Sequence, residues 1–408
     1  MGHRLLYAFA RFAGFLSRFA RIGAGLTVPG HVAMRFSSDV LGRLASRRTV
    51  VLVSGTNGKT TTTRLLVAAM QLRGPVVSNG SGSNLEAGLV SALLPAPRRT
   101  TAILEVDEVV LPRAIALCRP DVVVLLNLSR DQLDRTSEVA LHVDRWRAAL
   151  QLSECVVVAN ADDPLVVSAV RGARPTSRGV VWVAAGHRWR SDVPVCPDCG
   201  HPWSIWSEPW QCGSCGSQRP QPHWSLRGDH IASDQCAVPL HMRLPGRANE
   251  SNAAMAAVAA NALGVSMHGA IAAMSEVQDV AGRYVQHSIG RHNVRMLLVK
   301  NPAGWMEALD ERVDGRPVIM ALNARPADGL DPSWLWDVPF ESLNAQHVIL
   351  TGERATDLSV RLHYAGVEHE VVPDLWAAID LLPPGDCDLA ANYTAFVEAR
   401  RTLSQGRP

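Results

Sequence analysis

One stretch near the amino terminus constrains the fold more than any other. Residues 48–55 pass from polar side chains into an apolar run and end on a glycine, which predicts a buried strand entering a turn. The turn reads Gly-Thr-Asn-Gly-Lys-Thr-Thr, and residues 60–72 then show helical spacing. A strand, a glycine-rich turn and a helix in this order predict a phosphate-binding loop, because main-chain N–H groups and the helix N-terminus face an anion.

The side chains of this loop suit a nucleoside triphosphate. Lys59 can reach the β- and γ-phosphates, and the Thr60 hydroxyl can bind Mg²⁺. The usual spacing has a glycine where this chain has Val53, so the loop is a shortened variant. A plain strand, turn and helix with a surface lysine is the alternative, which the clustering of glycine, lysine and hydroxyls disfavours. The candidate nucleotide-binding residues are Gly55, Thr56, Asn57, Gly58, Lys59, Thr60 and Thr61.

Strands alternate with helices along most of the chain, which predicts an α/β fold with parallel sheets. The apolar, β-branched runs 101–106, 121–126 and 155–159 are predicted strands, and 137–150 and 249–263 are predicted helices. After Gly282 a second alternation begins, with predicted strands at 295–299, 318–322, 347–351 and 368–372. We therefore predict an amino-terminal segment (1–46), a central domain (47–285) and a smaller carboxyl-terminal α/β domain (286–408).

Composition narrows the class of protein. The chain has 408 residues, 47% of them hydrophobic and 19% charged, with a formal net charge of +2. These values disfavour a disordered chain and a nucleic-acid-coating protein.

The first 22 residues predict an amphipathic helix. Arg4, Arg11 and Arg18 recur every seven residues, with leucines and phenylalanines on the other side. The arginines interrupt the apolar run too often for a spanning helix or a signal peptide. Such a helix either packs on the protein or lies on an anionic membrane surface, and the sequence leaves both alternatives open.

Four of the eight cysteines fall in two CxxC pairs within an insertion at about residues 187–224. Twelve residues separate the pairs, a spacing that suits tetrahedral Zn²⁺. Four protein ligands leave no open position, so we predict a structural zinc ribbon, with a redox pair as the alternative. The residues between the pairs are aromatic but not basic, which argues against a nucleic-acid partner. The candidate ligands are Cys196, Cys199, Cys212 and Cys215.

The phosphate loop resembles that of the Mur ligase superfamily, the ATP-dependent amide-forming enzymes of cell-wall and folate metabolism. The resemblance implies an α/β fold with a Mur ligase-type central ATP-binding domain built on a parallel sheet and a second α/β domain. It also implies activation of a carboxylate as an acyl phosphate. Glu105, in Leu-Glu-Val-Asp-Glu, matches a Mg²⁺-binding glutamate, with a surface acidic cluster as the alternative.

Three further positions match less closely. Asn252 matches an asparagine that contacts adenine, although the neighbouring Asn249 also has an ordinary explanation as a helix cap. Arg283 resembles an arginine that touches the nucleotide. Where the superfamily typically has Asp-His-Leu-Asp, this chain has Gln132 in place of the histidine, which either puts a second metal position in doubt or makes Gln132 a carbonyl-oxygen ligand.

Within the superfamily, the chain is most similar to the MurT family, the ligase subunits of lipid II isoglutaminyl synthases. The similar segments span nearly the whole chain and include Asp-Gln-Leu-Asp, the four-cysteine insertion, Lys-Asn-Pro-Ala-Gly at 300–304 and Asp-Gly followed by Ser-Trp-Leu-Trp-Asp at 328–337. The resemblance implies amidation of the α-carboxylate of D-glutamate in the lipid II stem peptide, with ATP and Mg²⁺ as cofactors and structural Zn²⁺.

The resemblance also implies a partner, a GatD-like glutamine amidotransferase subunit that supplies ammonia. The ligase subunit is thought to lend an aspartate to the partner's Cys-His pair. We rank Asp337 first, then Asp331 and Asp328, with turn and cap residues as the alternative. A cytoplasmic location follows, where the membrane-held substrate would allow contact with the inner face of the plasma membrane.

Three rival functions stay open. An amino-acid ligase such as a folylpolyglutamate synthase shares the superfamily but not Asp-Gln-Leu-Asp or the cysteine insertion. A non-catalytic scaffold would not need Lys59, Thr60 and Glu105. A zinc-ribbon nucleic-acid binder would need a basic face that the sequence does not offer.

Overall fold

The structure is a computed structural model, and it describes residues 27–80, 83–130, 139–171, 179–186, 192–203, 209–244, 246–277, 284–310, 315–343 and 347–407. These residues form two compact units. The first runs to residue 128 and resumes from 139 to 277; the second spans 284–407 and includes Ser129 and Arg130. The predicted amphipathic helix and Gln132 lie outside the described residues.

The first unit is built on a nine-stranded sheet in the order β2-β3-β1-β4-β5-β6-β7-β8-β9. The strands from β2 to β7 are parallel, and β7 to β9 form an antiparallel meander. All five residues of β1 are buried, as expected for a parallel strand with helices on both faces. The strands are β1 Val50–Ser54, β2 Val76–Ser78, β3 Thr101–Glu105, β4 Val122–Leu125, β5 Val156–Asn160, β6 Val180–Ala184, β7 Trp224–Arg227, β8 His230–Ala232 and β9 Ala237–Pro239.

Helices cover both faces of this sheet. One apolar core joins the sheet to α4, α5, α6 and α7, with Trp146 fully buried in it. The helix after the phosphate loop, α3, packs against the alanine-rich α8 and against α9. The helices are α1 Val28–Phe36, α2 Val40–Ala45, α3 Lys59–Met70, α4 Glu86–Leu93, α5 Leu111–Cys118, α6 Val139–Gln151, α7 Pro164–Arg171, α8 Arg247–Ala262 and α9 Met267–Ser275, with a 3-10 turn at Gln71–Arg73.

The second unit contains a six-stranded sheet in the order β10-β11-β15-β12-β13-β14. Only the β10–β11 pair is antiparallel, and the four remaining pairings are parallel. Separate apolar cores lie against α12 and α13 and against α10 and α11. Its elements are β10 Tyr284–Ile289, β11 His292–Leu298, α10 Pro302–Asp310, β12 Val318–Ala321, β13 Val348–Thr351, α11 Ala355–Tyr364, β14 Glu370–Val371, α12 Leu375–Leu381, β15 Gly385–Ala391 and α13 Tyr393–Gln405, with 3-10 turns at Ser333–Asp337 and Phe340–Ser342.

The α/β fold class is confirmed, and each predicted strand coincides with an observed one. The cysteine insertion lies between β6 and β7, whose first paired residues are Val183 and Trp224. Strands β2, β6, β10 and β15 and the meander β7 to β9 are absent from the sequence prediction. Strand β2 and the strands of the meander have three or four residues and little apolar alternation, so their pairing depends on neighbours that lie far away in sequence.

Candidate active site

The phosphate loop leaves the carboxyl end of β1 and depends on two glycines. Gly55 (φ +147°) and Gly58 (φ +82°) both have positive φ, which other residues rarely adopt. A Cβ on Gly55 would approach Leu126 Cβ to 2.9 Å, and one on Gly58 would lie 2.2 Å from Asn252 Oδ1. The loop therefore needs glycine at both positions for conformation and for space.

Lys59 is the first residue of α3, and its side chain is buried under the loop. Its Nζ donates to the carbonyl oxygens of Gly55 at 2.5 Å and Thr56 at 3.2 Å, and to Glu108 Oε2 at 3.0 Å. A buried ammonium is costly unless an anion lies beside it, and Glu108 supplies that anion here. Bound phosphate oxygens would offer Lys59 the same kind of partner.

Glu108 is a site residue that the sequence reasoning did not single out. Its carboxylate is only 12% exposed, and its main-chain oxygen accepts a hydrogen bond from Trp146 Nε1 at 3.0 Å. The sequence signal was the third acidic residue of Glu-Val-Asp-Glu, which follows β3 directly.

Thr60 and Thr61 occupy the first turn of α3 and are buried with Lys59. Their position brings hydroxyl groups to the helix N-terminus, where the main-chain N–H groups also face an anion. The predicted loop residues Gly55, Thr56 and Asn57 precede this turn, so all seven candidates form one continuous segment.

Glu105 ends β3, the strand beside β1, and is 4% exposed. Its Oε2 is buried and has no hydrogen-bond partner. A buried carboxylate oxygen without a partner is expensive, so its presence points to a missing positive group. Carboxylate and hydroxyl oxygens are ligands that Mg²⁺ prefers, and Glu105 with Thr60 therefore fits a magnesium site.

Asn252, in α8, lies against the phosphate loop. Its Oδ1 accepts a hydrogen bond from Thr62 Oγ1 at 3.2 Å, next to Gly58. Asn252 therefore lies beside the predicted phosphate loop, and its adenine contact stays a prediction. Arg283 lies outside the described residues.

The four cysteines converge. Cys196 Sγ lies 3.7 Å from Cys215 Sγ, and Cys199 Sγ lies 3.7 Å from Cys212 Sγ. All four sulfur atoms lie within 4.8 Å of one another. Tetrahedral Zn–S bonds of about 2.3 Å require sulfur separations of roughly 3.8 Å, so this set fits zinc.

The two cysteine turns are also alike in their main chain. Gly200 N–H donates to Cys196 O at 2.8 Å, and Gly216 N–H donates to Cys212 O at 3.0 Å. Both glycines have a φ near +73°. Within the described residues this is the one group of His, Cys, Asp and Glu side chains with metal-binding spacing.

The three candidate aspartates of the second unit differ in exposure and bonding. Asp328 is 7% exposed, and its oxygens accept from Thr394 N at 2.8 Å, from Thr394 Oγ1 at 2.5 Å and from Arg325 N at 3.2 Å. Asp331 is exposed and accepts the Ser333 N–H at 2.8 Å. The Asp337 carboxylate is 36% exposed and lies 3.1 Å from Arg130. The carboxylates of Asp331 and Asp337 are therefore accessible from solvent, whereas that of Asp328 is buried.

Comparison with known proteins shows which family this chain belongs to. The subunit MurT of lipid II isoglutaminyl synthase (glutamine-hydrolyzing) from Staphylococcus aureus strain N315 is 30% identical, with 85% of each chain covered. This chain belongs to the MurT family. The subunit of the same name from Streptococcus pneumoniae is 29% identical, with 96% of each chain covered.

Two family models match separate parts of this MurT-family chain. The Mur ligase middle domain matches residues 53–185, which include the phosphate loop and Glu105. The MurT ligase C-terminal domain matches residues 298–396, which include the three aspartates.

Solved structures support the fold. A pseudomurein peptide ligase type C from Methanothermus fervidus has a TM-score of 0.69 at 19% identity, covering 88% of this chain and 79% of that one. MurF from Acinetobacter baumannii has a TM-score of 0.67 at 15% identity, covering 93% and 79%. Folylpolyglutamate synthase from Mycobacterium tuberculosis, solved with ADP, has a TM-score of 0.62 at 15% identity, covering 91% and 93%. The chain thus has the Mur ligase fold, some of whose members bind ADP.

No helix among the described residues has both the length and the apolar character needed to cross a bilayer.

Proposed function

We propose that this chain is the ligase subunit of a lipid II isoglutaminyl synthase. In this role it converts the α-carboxyl group of D-glutamate in the lipid II stem peptide to the amide of D-isoglutamine, through an acyl phosphate and with ATP as the phosphate donor. The observation that carries the proposal is the unpartnered Glu105 oxygen on the strand beside a buried phosphate-loop lysine. In a MurT-family chain, that arrangement fits a working nucleotide site.

The roles of the residues follow from their positions. The main-chain N–H groups at the N-terminus of α3 hold the phosphates, and Lys59 exchanges its contact with Glu108 for phosphate oxygens. Thr60 and Glu105 hold Mg²⁺, which would neutralise charge on the transferred phosphoryl group. Asn252 and Arg283 complete the nucleotide contacts.

Ammonia comes from a GatD-like glutaminase subunit in this proposal. We keep Asp337 as our first choice for the aspartate that orients the partner's histidine and Asp331 as the second, since both carboxylates are exposed. Asp328 ranks third because three hydrogen bonds already occupy its oxygens. Asp337→Asn should reduce glutamine hydrolysis by the complex while amidation with added ammonium persists; unchanged hydrolysis would transfer the role to Asp331.

The four cysteines hold a structural Zn²⁺, because all four ligand positions are filled by protein. We expect one zinc per chain by elemental analysis. Cys196→Ser should lower folding yield and the zinc content together. A well-folded, zinc-free variant that lacks only activity would contradict a structural role.

The substrate class sets the location. Lipid II presents its stem peptide at a membrane surface, so we place the chain in the cytoplasm at the inner face of the plasma membrane. Residues 1–22 are our candidate for membrane contact. Deleting them should reduce sedimentation of the chain with anionic vesicles; undiminished sedimentation would remove this role.

The decisive experiment co-purifies the chain with a GatD-like subunit and incubates the complex with lipid II, ATP and glutamine. Mass spectrometry should show replacement of one hydroxyl by an amino group on the stem peptide. Ammonium in place of glutamine should restore amidation to the chain without its partner. Turnover of ATP with glutamate and folate instead, or no nucleotide binding at all, would refute the proposal.

A further inference from the structure

At the carboxyl edge of the first sheet, the side chains of two asparagines form hydrogen bonds with the main chain. Asn127 follows β4, and its Oδ1 accepts the Asn57 N–H at 2.8 Å while its Nδ2 donates to Asn57 O at 3.1 Å. Its own carbonyl oxygen accepts the Thr56 N–H at 3.0 Å. Three hydrogen bonds thus hold the middle of the phosphate loop to the end of β4.

Asn79 makes the corresponding contacts with the main chain of Glu105. It follows β2, and its Oδ1 accepts the Glu105 N–H at 2.8 Å while its Nδ2 donates to Glu105 O at 2.8 Å. The same Nδ2 donates to Ser83 O at 2.8 Å. The side chain is 3% exposed, so the main chain of Glu105 is fixed from within the protein.

The sheet order explains why there are two such residues. In the order β2-β3-β1-β4, the inner strands β1 and β3 end at the phosphate loop and at Glu105. The outer strands β2 and β4 of these four are each followed by an asparagine that bonds the exit of the inner strand beside it. A carboxamide carries a donor and an acceptor side by side, so it can bond both the N–H and the C=O of one residue.

One asparagine therefore bonds the phosphate loop, and the other bonds the main chain of Glu105. We propose that Asn127 is a positioning residue for the phosphate loop and that Asn79 is a positioning residue for the divalent-cation ligand Glu105. The inference rests on the proposed function, because it assumes that Glu105 binds a cation beside a nucleotide. Side chains that fix the orientation of metal ligands and phosphate-binding groups strengthen binding without touching the ligand.

The two roles predict opposite patterns in binding. Asn127→Ala should weaken ADP binding measured in EDTA by about tenfold, since a loop hydrogen bond is worth about 1.4 kcal/mol or less. Asn79→Ala should leave that constant within about twofold. It should instead weaken Mn²⁺ binding to the ADP complex, by roughly tenfold.

Asn392 provides a matched control. In the second unit it makes the same paired contacts with a main chain, accepting the Asn323 N–H at 3.0 Å and donating to Asn323 O at 2.5 Å. It is as buried as Asn79, at 3% exposed, and it lies in the second unit, away from the phosphate loop in sequence. Asn392→Ala should lower thermal stability and change neither binding constant.

The experiment uses the full chain, with calorimetry for ADP in EDTA and electron paramagnetic resonance for Mn²⁺. Asn79→Ser and Asn127→Ser, which keep a hydroxyl, should show the same pattern more weakly and serve if an alanine variant does not fold. Equal shifts of both constants in both variants, or a loss of stability alone as in Asn392→Ala, would overturn the inference. Failure of the unaltered chain to bind ADP would instead refute the proposed function.

Discussion

The two units place polar residues at the same structural position but use them differently. At the carboxyl edge of the first sheet, Glu105 keeps a buried oxygen without a partner. At the carboxyl edge of the second sheet, Asp328 has both oxygens bonded, and the Asn392 side chain bonds the main chain of Asn323. We propose that the first edge receives a ligand, whereas neighbouring protein groups already bond Asp328 and Asn323 at the second edge.

This difference shows that sheet topology explains where polar residues gather but not whether they bind a ligand. Parallel strands bring their carboxyl ends to one edge, and loops there collect polar side chains in either unit. Burial of a polar atom without a partner destabilises a fold, so such an atom beside a phosphate loop suggests that a ligand completes its bonding. The state of the hydrogen bonds, more than the residue types, separates a binding edge from a structural one.

The strongest test of the comparison is Lys59→Met. We expect a roughly hundredfold to thousandfold loss of ATP-dependent amidation, because a preorganised positive charge at the phosphates is removed. Stability should also fall, since Glu108 would keep a largely buried carboxylate without Lys59. Adding Glu108→Gln should recover much of the stability but none of the activity. Near-normal amidation by the single variant would show that this edge is not catalytic.

Glu105→Gln should separate binding from stability. Binding of Mn²⁺ to the ADP complex should weaken by about tenfold or more, because a charged ligand is lost. The free energy of unfolding should not fall, since the altered oxygen has no partner to lose and the substitution removes a buried charge. Chemical denaturation measures the second quantity. A loss of several kcal/mol would mean that Glu105 is a structural residue like Asp328.

Asp328→Ala should behave in the opposite way. It removes the acceptor of three hydrogen bonds in a buried setting, so we expect a loss of about 2–4 kcal/mol in the free energy of unfolding. Asp331→Ala, in the same loop but exposed and accepting one N–H, should cost about 1 kcal/mol or less. Equal losses in the two variants, measured by denaturation, would contradict the structural role of Asp328.

The sequence alone does not predict most of this contrast between the two units. The order of strand, glycine turn and helix predicted the phosphate loop, because those elements are consecutive in the chain. The spacing of the four cysteines likewise predicted a cluster that the structure forms. The contacts of Glu108 with Lys59 and of Asn79 with Glu105 join residues 49 and 26 positions apart, and no local pattern encodes them. Sequence also ranked three aspartates that differ in exposure, a property set by the fold around them.

The smallest expected effect concerns a charge on the second unit. Arg361 is buried and donates to Leu335 O at 3.2 Å and Val338 O at 2.6 Å, on either side of Asp337. Glu341 pairs with this guanidinium at 2.9 Å and is mostly exposed. The Arg361 hydrogen bond, helped by the main-chain N–H of Glu341 itself, lowers the pKa of Glu341 below its ordinary value of 4.5.

A lowered folded-state pKa gives stability that is present above the unfolded-state pKa and is lost as the pH falls through the folded-state value. Glu341→Gln should therefore lower the free energy of unfolding near neutral pH by less than about 1 kcal/mol, because Glu341 itself is mostly exposed, and the melting temperature should fall slightly. The difference should shrink as the pH falls below 4.5. A difference that persists in acid would assign the effect to the packing of the Glu341 side chain and not to its charge.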